Sequence, residues 1–200
     1  MPITNGNAAI PSIGAVGCYL SHVELWKRAA KRSVPTLILE QDAEPGKPPG
    51  QIFNALATIP PGVDVAFLGH LSIHRPRLVE IFSRQSTEGF HPVVPTSDIF
   101  CTHAYVITPE GAAKLAERAL PINAQVDGFM RFLCAPESDI RMVYHSPSLV
   151  RQQAGVSSSI QPVGSNLDSL LQGSSMAFQA ASSILWIQLC RPWRFLKKRW

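Results

Sequence analysis

No apolar run in this 200-residue sequence approaches the ~20 residues needed to cross a bilayer, so no membrane-spanning helix is expected. Cysteine is scarce and scattered: Cys18, Cys101, Cys134 and Cys190 stand far apart, with no Cys-x-x-Cys pair. That pattern excludes a zinc framework and a disulfide scaffold and suits a reducing compartment. The opening MPITNGNAAIPSIG has neither the basic start nor the apolar stretch of a secretory signal, so a cytoplasmic location is expected. Low complexity is absent too, because the seventeen prolines and thirteen glycines are spread over many loops. With 46% apolar and 16% charged residues, the chain reads as one folded domain with a real core.

Acidic residues are missing from the last ten positions, which hold Arg191, Arg194, Lys197, Lys198 and Arg199. Without those five cations the formal charge of +4 becomes −1, so the basicity is a tail and not a face. Nucleic acid is therefore not an expected partner. Trp186, Trp193, Phe195 and Trp200 stand near or among the cations. Rings and cations together suit an anionic membrane surface; the alternative is a terminal helix docked on the domain with a frayed basic end. The expected organisation is a domain over 1–165 and an apolar, aromatic-basic tail over 166–200.

Between these limits, helical and strand patterns alternate. GAVGCYLSHVELWKRAAKR places Val16, Tyr19 or Leu20, Val23, Trp26 and Ala30 at three- and four-residue spacing, which predicts a helix. Thr36–Leu39 reads as a short buried strand, QIFNALATI as a helix closed by Pro60-Pro61-Gly62, and VDVAFLGH as a second strand. Residues 71–97 have no clean period and read as a loop with room for a short hairpin. CTHAYVIT is a third strand. It runs into a helix with Thr108 as N-cap, Pro109 at the first position and Glu110 in the first turn. VDGFMRFLCA predicts another helix and RMVYHSP a fourth strand, giving an α/β arrangement.

The first strand ends abruptly in carboxylates: TLIL is followed by Glu40-Gln41-Asp42. Two readings stand side by side, a strand leaving the core into solvent and a strand end holding a metal in a cleft.

Several pieces together resemble glycosyltransferase family 25, the lipopolysaccharide and collagen galactosyltransferase family. GCYLSHVELWKRA is similar to its Gly-Cys-x-x-Ser-His-x-x-x-Trp helix, LILEQDAEP to its Leu-Glu-Asp-Asp-Ala strand end, and DVAFLGH to its Asp-x-x-x-Leu-Gly strand. AYVITPEGAAKLAERALPINAQVDGFM resembles its Tyr-containing strand, Gly-Ala helix and following Val-Asp. PSLVRQQAGVSSSI is a weaker match to its ending, and the whole likeness spans about residues 14–160. Two departures accompany it. Gln41 stands where the family usually has a carboxylate, and the family's first nucleotide-binding strand has no counterpart ahead of the Gly-Cys helix, as if the chain were N-terminally shortened.

The resemblance implies a GT-A-like α/β fold, a mixed sheet flanked by helices. It also implies inverting transfer of a hexose, typically galactose, from a UDP-sugar to a saccharide or lipid-linked acceptor. A divalent ion, Mn²⁺ or Mg²⁺, would neutralise the departing diphosphate. On that basis Asp42 is the first metal ligand, with Glu40 on the metal or the donor's ribose and His145 as a third ligand. Asp127 is the catalytic base that takes the acceptor's proton, or alternatively a helix N-cap. Ser21, His22, Gln152 and Ser158 are expected at the donor, although Ser21 and His22 would equally fit a polar helix face. Such an enzyme would act at the cytoplasmic face of the inner membrane in cell-envelope glycan synthesis. The competing expectation, from Gln41 and the short front end, is an inactive remnant or sugar-nucleotide-binding module.

Overall fold

A computed structural model describes residues 13–72, 88–93, 99–135, 137–153 and 185–188. In chain order the elements are α1 (Ile13–Ala29), β1 (Thr36–Leu39), β2 (Ala43–Pro45), α2 (Pro49–Ala57), β3 (Val65–Ser72) and β4 (Gly89–Pro92). There follow β5 (Ile99–Ile107), α3 (Pro109–Arg118), α4 (Val126–Phe132), β6 (Met142–Ser146), β7 (Val150–Gln152) and β8 (Leu185–Gln188). The main sheet has the order β4-β6-β3-β5-β1-β8, and β2 pairs with β7 in a second, two-stranded sheet. β3 runs parallel to β6, while β5 runs antiparallel to both β1 and β3. The C-terminal ends of β1, β3 and β6 and the start of β5 therefore share one end of a mixed α/β sheet.

Each face of that sheet carries its own core. On one face α1 contributes Tyr19, Val23, Trp26 and Ala29, whose helical spacing forms one stripe against Ile38, Val65, Phe67, Tyr105 and Ile107. α3 and α4 complete this layer with Leu115, Val126, Phe129 and Met130. The Tyr19 hydroxyl donates to Ala119 O at 2.8 Å, tying α1 to the end of α3. On the opposite face Ala55, Leu56 and Ile59, in and just after α2, cover Ala66, Leu68, Ala104, Val106 and Leu149. β3 is buried from Val65 to Gly69, which explains a continuous apolar run where a half-exposed strand would alternate.

The entry to α3 follows the sequence closely. Thr108 caps it by accepting the Gly111 N–H at 3.0 Å, with Pro109 in the first turn. Gly111 is required because a Cβ there would lie 2.7 Å from Asp64 O. Asp64, almost fully buried, receives Lys114 Nζ on both oxygens at 3.0 and 3.1 Å and the Arg141 N–H at 2.8 Å. This buried ion pair locks the starts of β3 and β6 to α3.

Two expectations are revised, and two pairings that the sequence did not signal are added. α4 stops at Phe132, and its N-cap is Gln125, so Asp127 sits inside the first turn and is not the cap. Within 71–97, Gly89–Pro92 forms β4, whose partner among the described residues is β6. The β2–β7 pair has three residues on each side, too few for any periodicity to reveal. Leu185–Gln188, expected in the tail, forms β8 on the free edge of β1. The basic residues 191–200 and Ser158 lie outside the described residues.

Candidate functional site

The site is built where β1 runs out. Glu40 follows the last residue of β1, and its backbone N–H donates to His103 O at 2.9 Å, so the strand pairing positions it. Its side chain turns toward α1, where His22 is buried with no exposed surface. His22 Nε2 lies 3.3 Å from Glu40 Oε1, and Thr102 Oγ1 donates to the same oxygen at 2.7 Å. Behind His22, its Nδ1 sits 2.8 Å from the Tyr105 hydroxyl, which accepts the Trp26 indole N–H at 2.9 Å.

That chain of contacts assigns the histidine tautomer. The Glu40 carboxylate can only accept, so His22 Nε2 carries the hydrogen and donates to it; Nδ1 then accepts from the Tyr105 hydroxyl, whose oxygen accepts the Trp26 N–H. Burial alone pushes the Glu40 carboxyl up, but the bonds from His22 and Thr102 and the His22 and His103 rings outweigh it and hold it below its ordinary value. Among the described residues every bond to this carboxylate lands on Oε1, which leaves Oε2 available to a ligand.

Asp42 is set by the small sheet. Ala43 pairs with Gln152, Asp42 O accepts the Gln153 N–H at 2.7 Å, and Gln152 Nε2 donates to Asp42 Oδ2, also at 2.7 Å. The other oxygen, Oδ1, is buried and has no hydrogen-bond partner among the described residues. A buried carboxylate oxygen without a donor is costly unless something positive joins it.

Asp127 comes from α4 and faces the start of β5. Its Oδ1 accepts the Gly128 N–H at 2.7 Å and its Oδ2 the Cys101 N–H at 3.2 Å. Cys101 has a φ of 73°, a left-handed conformation that costs a non-glycine residue about 1–2 kcal/mol. The strain sits where the chain bends to meet Asp127. A small cavity beside it is lined by Phe67, Cys101, Asp127 and Arg131.

Cys18 links the three acids. Burial chiefly pushes its thiol up to about 12, and the charges of Glu40, Asp127 and Asp42 add to that rise. Carboxylates from a strand end, a turn and a helix start thus all disfavour the Cys18 thiolate.

Of the expected residues, the structure brings Glu40, Asp42, Asp127, His22 and Gln152 to this end of the sheet. Ser21 is buried, but its hydroxyl donates to Gly17 O at 2.7 Å inside its own helix, so it does not reach out to a ligand. His22 is likewise buried and does not lie on a polar helix face. His145 does not join the carboxylates. It lies on β6, separated from β1 by β3 and β5, with Nδ1 donating to Pro147 O at 2.8 Å and its ring edge-on to Phe90. Sequence reasoning missed Thr102 and Tyr105. Alternation along CTHAYVIT could have aligned them only in part, since β3 bulges against this strand. Cys18 is not among the expected site residues, yet it is four positions from His22, and that spacing could have marked it.

A family-level comparison agrees with this geometry: the sequence model of glycosyltransferase family 25, described as LPS biosynthesis protein, matches residues 7–130. No curated protein and no solved structure matches the chain. The matched span takes in Cys18, His22, Glu40, Asp42, Thr102 and Asp127 and covers more than half of the chain, so the chain belongs to glycosyltransferase family 25, enzymes that pass a sugar from a donor to an acceptor.

Proposed function

We propose that this chain transfers a hexose, galactose by family likeness, from a UDP-sugar to a saccharide acceptor of lipopolysaccharide or another cell-envelope glycan. The reading includes a GT-A-type donor site, a divalent cation and inversion at the anomeric carbon. The observation that carries it is that the strand order and pairing bring Glu40, Asp42 and Asp127 to one end of the sheet, with Asp42 Oδ1 buried and without a hydrogen-bond partner among the described residues.

Asp42 fits a hard cation: Gln152 fixes one carboxylate oxygen and leaves the other without a donor. Glu40 Oε2 is a second oxygen for the cation or for the donor's ribose. Bound there, Mn²⁺ or Mg²⁺ supplies neutralisation of the departing diphosphate. Asp127 takes the proton of the acceptor hydroxyl; its two backbone donors fix the carboxylate's orientation for that task. His22 and Thr102 hold Glu40 ionised. The aromatic and basic residues at 191–200 would keep the enzyme at an anionic cytoplasmic membrane face, where lipid-linked acceptors lie.

Calorimetry of UDP binding with and without Mn²⁺, on the wild type and Asp42→Ala, tests this. Mn²⁺-dependent binding lost in the variant is expected; a folded wild type that binds no UDP under either condition would sink the reading. Gln41, an exposed amide in the acidic turn, favours one alternative, a sugar-nucleotide-binding module without turnover. Metal-dependent UDP binding without UDP release from any UDP-hexose would point to that.

A further inference from the structure

Cys18 and His22 lie four residues apart on α1, the spacing that sets two side chains on one helix face. Glu40 reaches that face from the end of β1. One ligand atom from each of the three lies within 4.8 Å of the other two. A thiol, an imidazole and a carboxylate are thereby gathered between α1 and the end of β1, with Cys18 half-buried and His22 fully buried.

This donor set differs in kind from the carboxylate oxygens of Asp42 alone. Hard cations such as Mg²⁺ take carboxylates and water, whereas thiolate and imidazole select borderline-soft ions. Three such protein ligands, with a water in the fourth place, make the donor set of a tetrahedral zinc-class site. The outer support is also present. When His22 ligates through Nε2, its Nδ1–H points at the Tyr105 oxygen, whose two lone pairs then take His22 and Trp26. The Thr102 hydroxyl still donates to Glu40. A thiolate and a carboxylate balance a dication, and the nearby Asp42 and Asp127 favour its approach.

We propose that Cys18, His22 and Glu40 form a binding site for a thiophilic divalent cation of the zinc class, distinct in ligand chemistry from the hard-cation site at Asp42. Binding forms a metal–sulfur bond and releases the thiol proton to solvent; the single imidazole proton sits on Nδ1. An ion there holds Glu40 against α1 and withdraws it from the donor. That consequence, inhibition by zinc, rests on the transferase reading, but the binding itself does not.

The test uses Co²⁺ as probe on the reduced, full-length chain without UDP. A near-ultraviolet thiolate-to-cobalt absorption is expected, displaced by equimolar Zn²⁺. It disappears in Cys18→Ser and persists when each of the other three cysteines is changed to serine. No such absorption in the wild type, or its survival in Cys18→Ser, overturns the proposal. If Cys18→Ser fails to fold, X-ray absorption of the zinc-loaded wild type decides. One sulfur at about 2.3 Å with nitrogen and oxygen ligands is expected, and a shell without sulfur or with several sulfurs overturns the site. UDP calorimetry run in parallel separates the two readings. Cobalt binding without UDP binding sinks the transferase and leaves this site standing, and the reverse result sinks only this site.

Discussion

His22 and Glu40 meet with Nε2 and Oε1 3.3 Å apart, and the histidine in that contact has no solvent-exposed surface. A helix and a strand end are thereby joined by a polar contact inside an otherwise apolar interface, and the contact continues through Tyr105 to Trp26. The family motif on α1 thus acquires a physical meaning: its histidine and tryptophan fix the orientation of a carboxylate on another element.

Tyr105→Phe tests that chain, since it removes one oxygen and leaves both the Trp26 N–H and His22 Nδ1 without their partner. Unpaired buried polar groups of this kind cost about 1–3 kcal/mol each. Urea unfolding is expected to show a lower midpoint at unchanged slope, with UDP affinity falling in the same variant because Glu40 is less firmly held. Equal stability of the two proteins would refute the hydrogen-bonded chain.

Gly69 and His103 form a second pair whose coupling can be measured. A Cβ on Gly69 would fall within the His103 ring and would also meet Val150 O at 2.9 Å. Gly69→Ala is therefore expected to destabilise the fold by about 1–3 kcal/mol through overpacking. In His103→Ala the ring is gone, so adding Gly69→Ala costs less than it does alone. A double-mutant cycle with additive effects would show that the ring does not fill the space beside Gly69.

Acid should weaken the protein in two stages. Burial, with the His103 and His145 rings, holds His70 below its ordinary 6.5, outweighing the His145 carbonyl bond that favours its charged form. Glu40 is held below its ordinary 4.5. Both folded values are depressed, so the unfolded chain binds the extra proton and stability rises with pH. The contribution of His70 is complete above about pH 6.5 and that of Glu40 above about 4.5; each is lost as pH falls through its folded value. Denaturant midpoints measured from pH 7.5 to 3.5 should decline, and His70→Phe should flatten the upper part of the decline. A flat profile across this range would contradict both assignments.

How far the sequence carried the structure depended on element length and on what each pattern encodes. α1, β1, β5 and α3 were legible because an apolar stripe, a short β-branched run and a Thr-Pro-Glu cap are local signals. The β2–β7 pair was not, since it is specified by the meeting of distant triplets, and Gln152 reaches Asp42 only through it. His145 failed as a third ligand for a related reason. A histidine at a strand end looks alike on any strand, and the order of β6, β3, β5 and β1 is set by tertiary pairing. Thr102 has no local mark at all; its role follows from lying across the sheet from Glu40.

Gln41 gives the sharpest mutational prediction, because the change is a single charge in an exposed turn. Gln41→Asp places a third carboxylate between Glu40 and Asp42. A unit charge about 4 Å from a dication in a water-like medium contributes about 2 kcal/mol, and screening by solvent and salt reduces it. Mn²⁺-dependent UDP binding should therefore tighten by about three- to thirtyfold, converting about 0.7–2 kcal/mol at the usual 1.4 kcal/mol per decade. Metal-free UDP binding should weaken, since the added charge opposes a diphosphate. The two effects have opposite signs, so a general change in folding cannot imitate both. Calorimetry on the variant with Mn²⁺ and with chelator measures each. Tightening only without metal would mean that this acidic turn faces something other than a metal-bound diphosphate.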